Sequence, residues 1–242
     1  MTQEIVFVHL GKKIPKFLDL NLALTRNRFP ASKVTLITDV KVNRSDVLNI
    51  SNYEQTMSTR NLFSNSTHDE NFRSGFWLKS LERLIAVFEY QIANKVENLI
   101  HIESDVLLLP NFPLESLRDL PKPVWTQYSS LKSVGAVVCI PSPTDAANLL
   151  NSAMNLIKLH PGITDMTLLN MLAKSEKIAN TFSHQIIYTN RNFGDPEVNG
   201  GSYTFNDGFF DPAQIGMWLT GEDPRNHLGM NVIHSNSLYN SG

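Results

Sequence analysis

The sequence predicts a single α/β domain with a central, mostly parallel sheet flanked by helices. Three observations predict it. The strand-like runs IVFVHL (5–10) and KVTLIT (33–38) are separated by one helix-length segment, a spacing that closes as a right-handed crossover with the strands parallel. The run LIHIESDVLLL (99–109) is too continuously apolar for a half-exposed strand and reads as one buried on both faces. An amphipathic, helix-patterned segment directly precedes that run, which is how a parallel sheet is wound.

The totals bound what such a domain can do. At 242 residues, with 42% hydrophobic and 18% charged residues, the chain can bury a sizeable core and is not a disordered sequence. A net charge of -2 and the lack of a Lys/Arg stripe argue against a nucleic-acid partner, so an anionic ligand would have to be small and met locally. The single cysteine, Cys139 in GAVVCI, allows no internal disulfide framework and reads as a core thiol in a reducing compartment. The opening MTQE and IVFVHL lack the basic region and length of a signal peptide, and no run reaches membrane-spanning length. The expected location is cytoplasmic, with peripheral attachment to a membrane left open. On that expectation the sequons at Asn43, Asn49 and Asn65 carry no meaning.

In chain order, the first strand exits through His9-Leu10-Gly11-Lys12-Lys13, a loop where a nucleotide could lie. Pro15 opens a helix to about Arg28 that Pro30 closes, and the second strand ends at Asp39. From 40 to 73 Asn, Ser and Thr dominate, and the reading is a weak strand at 47–50 followed by a long polar loop. Ser74 begins a helix with Trp77, Leu81, Leu84, Ile85 and Phe88 on one face. Lys79 and Arg83, four apart, share another face. They are either a solvated pair beside Glu82 or cations that reach a pocket at the end of the next strand.

That next strand carries the main signal. Read as a strand through the acids, 99–109 places Glu103 and Asp105 on the same side, one pleat apart. Two converging carboxylates require a positive partner, and hard oxygen ligands suit Mg²⁺ or Mn²⁺. The similar Asp195-Pro196-Glu197 lies in a polar, Gly- and Asn-rich stretch and reads as a solvated loop.

Beyond the Pro-punctuated 110–123, strands are expected at 124–128 and 134–140. Ser142-Pro143-Thr144-Asp145 starts a helix to about Leu159, with an N-cap Ser, Pro at the first position and an acid three residues after the cap. Thr164-Asp165 starts another, to about Lys174, where Asp165 is either a partner of the helix dipole or a sugar-facing carboxylate. A last strand is expected at 184–189 and a short helix from Asp211, itself a cap, to Leu219. Asp207 has both a turn reading and a catalytic one, and the tail holds His227 and His234.

Taken together, VFVHLGKKIP, LITD, RSGFWLKSLERL, LIHIESDVLLL and FNDGFFDPAQIGMWLTGEDPRN resemble glycosyltransferases of the GT-A fold, over nearly all of the chain. The resemblance implies one GT-A-like (Rossmann-like) domain over 1–242, with a nucleotide-binding half at about 1–109 and an acceptor-binding half at about 110–242. It implies a nucleotide-sugar donor, UDP- or GDP-linked, a carbohydrate or other hydroxyl acceptor, and Mn²⁺ or Mg²⁺. His9 and Gly11 resemble the family's base and ribose contacts, and Asp39 another nucleotide-facing residue. Asp105 matches the direct metal ligand, and Glu103 the first acid, which meets ribose or metal-bound water, with Ser104 between them. His234, in preference to His227, matches a further metal ligand near the carboxyl terminus. Arg73, Lys79 and Arg83 resemble contacts to the donor's phosphate or sugar; Asp207 and then Asp165 are the candidates for a base if the anomeric centre is inverted, and position sugar hydroxyls if it is retained. Two other classes are weighed against this one. Nucleotidyl transfer would call for a Gly-rich, basic phosphate loop that HLGKKIP does not provide, and a noncatalytic nucleotide-sugar-binding module would keep the fold without turnover.

Overall fold

In the computed structural model, residues 3–63, 72, 75–108, 110, 112–127 and 131–175 are described. Strand β1 (Glu4–His9) leads through helix α1 (Lys16–Arg28) to β2 (Lys33–Thr38) and the short β3 (Val47–Asn49). Helices α2 (Glu54–Phe63) and α3 (Phe76–Asn94) follow, then β4 (Leu99–Glu103), β5 (Val124–Gln127) and β6 (Ser133–Ile140). Helices α4 (Pro143–Leu159) and α5 (Asp165–Ser175) complete the described residues.

The six strands form one mixed sheet in the order β3-β2-β1-β4-β6-β5. β3, β2, β1 and β4 pair in parallel, and β6 runs antiparallel to both β4 and β5. The expected parallel β1–β2 pair is present in full register from Glu4 opposite Lys33 to His9 opposite Thr38.

Strand alternation sorts the core. Ile5, Phe7, Leu36, Ile100 and Ile102 face one side, where Leu18 and Leu22 of α1 cover them. Val6, Val8, Ile37 and Leu99 face the other, under Leu81, Leu84, Ile85 and Phe88 of α3 and residues of α4 and α5. Cys139 is a buried free thiol whose pKa burial pushes up, as its apolar surroundings suggested. The α4 cap forms as read: Ser142 Oγ accepts from Asp145 N at 3.1 Å and donates to Asp145 Oδ2 at 2.6 Å.

Two expectations are corrected. The stretch expected as a loop contains α2, a helix with poor intrinsic propensity in EQTMSTRNLF. Its first turn is capped from α3: the Glu89 carboxylate accepts from Gln55 N at 2.8 Å, Thr56 N at 2.7 Å and Thr56 Oγ1 at 2.5 Å. A carboxylate at a helix N-terminus satisfies free amides and meets the dipole favourably, and no local pattern announces one supplied from 33 positions away. Glu89→Ala is expected to lower the stability by about 1–2 kcal/mol, measured by urea denaturation, with Glu89→Gln losing less.

The second correction concerns 99–109. The strand stops at Glu103, where its pairing stops: the last pairs are Val8 opposite Glu103 and Ile102 opposite Val137. Beyond that point the backbone finds other partners. Val106 N donates to Glu103 O at 3.0 Å, and Asn21 Nδ2 of α1 donates to Val106 O at 2.7 Å. Ser104 and Asp105 therefore form a turn, and the two acids do not share one pleated strand.

Candidate functional site

The carboxyl ends of β1, β2 and β4 lie together, as parallel pairing requires, and the polar residues expected to carry function gather there. At the β1 exit, Gly11 N donates to Asp39 Oδ1 at 2.8 Å, which ties the loops after β1 and β2 together. His9 Nε2 lies 3.0 Å from the Lys13 carbonyl, which accepts its proton, and a Cβ on Gly11 would come within 3.2 Å of that ring nitrogen. His9, Gly11 and Asp39 thus shape one closed turn at the sheet's edge of solvent.

The centre of the site is Arg83. Strand parity turns Glu103 to the α3 side, the side of His101, and Arg83 sits on α3 one turn after Lys79. Its Nη2 is 2.6 Å from Glu103 Oε1 and 3.2 Å from Asp165 Oδ2 in the first turn of α5. One guanidinium thus joins α3, β4 and α5. Burial works against its charge, but Glu103, Asp165 and Asp105 outweigh burial and raise its pKa. Burial pushes the Glu103 carboxyl up, Arg83 pulls it back, and the negative charges of Asp105 and Asp165 add to the upward shift.

Gly135 on β6 lets Leu169 of α5 pack close to the strand. A Cβ there would stand 3.3 Å from Leu169 Cδ1 and 3.9 Å from Arg83 Nη2. Below Glu103 on the same face, His101 is fully buried and directs Nδ1 at the Val6 carbonyl, 3.0 Å away. Burial, with the Arg83 charge behind it, holds its pKa down to about 3, so it is a neutral member of the core.

Asp105 differs from its neighbours. Its side chain is exposed, and among the described residues its carboxylate makes no hydrogen bond or ion pair, although it is close enough to act on the charges of Arg83 and Glu103. The turn carrying it is held from beneath by Asn21, which reaches both Ser104 O at 3.4 Å and Val106 O at 2.7 Å.

Lys79 is half-buried and forms no ion pair among the described residues. Its charge acts on Glu82, a carboxylate buried at 2% exposure and paired with Arg60 of α2. Burial raises the Glu82 pKa, Arg60 and Lys79 oppose the rise, and Asp39 adds to it. The structure therefore brings Lys79, Arg83, Glu103, Asp105 and Asp165 to one end of the sheet. Arg73, Asp207, His227 and His234 lie outside the described residues.

A divalent ion fits this site through Asp105 alone among the described side chains. The partnering of Glu103 by Arg83 commits the other expected oxygen ligand, and no three His, Cys, Asp or Glu side chains among the described residues come together as a ligand set. Arg60, Glu82 and Gly135 were not singled out from the sequence. For Gly135 a signal was present, since a glycine inside an apolar strand marks a close approach. For the Arg60–Glu82 pair, 22 positions apart, there was none.

Comparison with solved structures finds glycosyltransferases. The chain is similar to the PaToxG glycosyltransferase, with 11% sequence identity over 72% of this chain and 69% of that one, at a TM-score of 0.47. It is also similar to the bacterial N-acetylglucosamine transferase NleB, with 7% identity over 73% of this chain and 86% of that one, at a TM-score of 0.36. No family model matches the chain, and no curated protein does. Both superpositions are loose, and the reading of the site rests on this chain's own residues.

Proposed function

We propose that this protein is a metal-dependent glycosyltransferase that moves a sugar from a nucleotide-diphosphate donor to a hydroxyl acceptor. The observation that carries the reading is Asp105, without an ion pair among the described residues, near the half-buried Arg83 at the carboxyl end of β4 and within the electrostatic reach of its ion pairs. In open α/β sheets that end is where ligands bind.

Glycosyl transfer breaks the bond from the sugar's anomeric carbon to the diphosphate oxygen, forms a bond to the acceptor oxygen, and passes the acceptor's proton to a base. The nucleoside diphosphate leaves with its electrons, so the transition state is reached more easily where that charge is met. A bound Mn²⁺ or Mg²⁺ would supply Lewis-acid charge there, with Asp105 as its described ligand and His234 as the further one. Lys79, half-buried and without an ion-pair partner among the described residues, is suited to a phosphate oxygen. Arg83 positions Glu103 instead of taking the donor directly, and Glu103 meets the sugar or ribose with its remaining oxygen. Asp165, bound to Arg83 and 7% exposed, is committed to that scaffold, which leaves Asp207 as the acceptor's base.

The test is calorimetric titration of UDP and GDP with and without Mn²⁺, followed by donor hydrolysis and transfer with a panel of nucleotide sugars. Metal-dependent binding and turnover are expected. Binding without any turnover would make the protein a nucleotide-sugar-binding module, and no binding of either diphosphate would remove the site. Lys79→Ala is expected to weaken diphosphate binding by about tenfold while leaving the melting temperature near that of the wild type. The reverse ranking would return Lys79 to the solvated surface.

A further inference from the structure

The first two turns of α1 are apolar on both faces. Leu18 and Leu22 are buried under the sheet's core, while Phe17 is 53% and Leu20 60% exposed, three apart on the outward face, with the half-buried Leu24 continuing the stripe. Leu107, 49% exposed, is held alongside the same helix, because its neighbours Val106 and Leu108 are bound through their carbonyls by Asn21 and Arg28 of α1. Large side chains left outward in a cluster mark an interaction surface.

Exposed lysines outnumber the open carboxylates around this patch. Lys12, Lys13 and Lys16 are exposed at the start of the helix, and none forms an ion pair among the described residues. The Gly11–Asp39 hydrogen bond brings the loop of exposed Lys41 to the same end. Of the nearby acids, Asp19 is met by Arg44 at 2.7 Å and Asp46 by Arg44 at 2.8 Å and by Arg26, while Asp39 accepts from Gly11 N and Asp105 is exposed. A surface of bulky apolar side chains flanked by an excess of exposed lysines is complementary to a bilayer with anionic head groups. A second copy fits it poorly, since a two-fold interface would set the same lysines against one another.

We propose that the outward face of α1 docks this protein on an anionic lipid surface. Phe17 and Leu20 enter the head-group region, and Lys12, Lys13, Lys16 and Lys41 meet its negative charge. This goes beyond the glycosyl-transfer reading and stands without it.

The test is flotation of the full chain with vesicles of phosphatidylcholine alone and of phosphatidylcholine with phosphatidylserine, at low and physiological salt. Binding only to the phosphatidylserine vesicles, weakened by salt, is expected. Replacing Lys12, Lys13 and Lys16 by Gln together is expected to weaken it on the order of a hundredfold, from about fivefold per lysine. Phe17→Ser with Leu20→Ser is expected to weaken it by at least about tenfold with the far-UV spectrum and melting temperature unchanged, and the single Leu20→Gln provides a milder check of the same face. Absence of binding, equal binding to both vesicles, or binding indifferent to the Phe17/Leu20 and lysine variants would overturn the proposal. So would a dimer in light scattering that the Phe17/Leu20 variant dissociates while no vesicle binding occurs.

Discussion

Arg83→Met is expected to lower the unfolding free energy by about 3–5 kcal/mol, because it leaves two largely buried carboxylates without their cation. The side chains of Arg83, Glu103 and Asp165 are 17%, 22% and 10% exposed, so water can replace little of what the guanidinium supplies. Methionine keeps the length and apolar stem of the side chain, so packing loss stays small. The pH dependence gives the mechanism away. Burial already holds the Glu103 carboxyl above its ordinary value against the pull of Arg83, and with the guanidinium gone it rises further, so the native state binds more protons than the unfolded chain in that window. Stability is then lost as pH rises through the raised value and regained below the unfolded one, and the deficit of the variant should shrink at acid pH. Adding Glu103→Gln and Asp165→Asn should recover part of the loss at neutral pH. Urea denaturation across pH measures all of this, and a cost below about 1 kcal/mol would assign Arg83 to an ordinary surface pair.

Asp105→Asn is expected to weaken Mn²⁺-dependent diphosphate binding on the order of a hundredfold, at the upper end of what even outer-sphere changes cost at metal sites. Its effect on stability should be small, since the side chain is exposed and makes no ion pair among the described residues. That contrast with Arg83 is what the geometry dictates: one residue builds the end of the sheet, and the other presents a charge from it. Calorimetry with and without Mn²⁺ reads the binding, and thermal denaturation reads the fold. Unchanged affinity in the presence of metal would remove Asp105 from the site.

Much of the architecture was legible in the amino-acid order. KVTLIT is a strand over the very residues expected, Lys33–Thr38, and α4 starts at Pro143 behind its Ser142 cap. These are local signals: alternation, continuous apolar runs and caps act within a few residues, so the chain states them directly. The site was legible only as a location. Glu103, Asp105, Lys79 and Arg83 were singled out and do lie at one end of the sheet, but their alliances were not foreseen. Reading 99–109 as one strand gave both acids the same task, whereas the pairing of β4 ends at Glu103 and the chain turns there.

By itself the sequence determined the order of the described strands and of the described α-helices other than α2, the buried face of α3 and the presence of acids at the end of an apolar strand. Only the tertiary structure decided that Arg83 belongs to Glu103 and Asp165, that Glu89 caps α2, and that Asp105 is left unpaired among the described residues. The physical reason is range. Hydrophobic periodicity is written in neighbouring residues, while an ion pair between Arg83 and Asp165 spans 82 positions and exists only once α3, β4 and α5 have packed together.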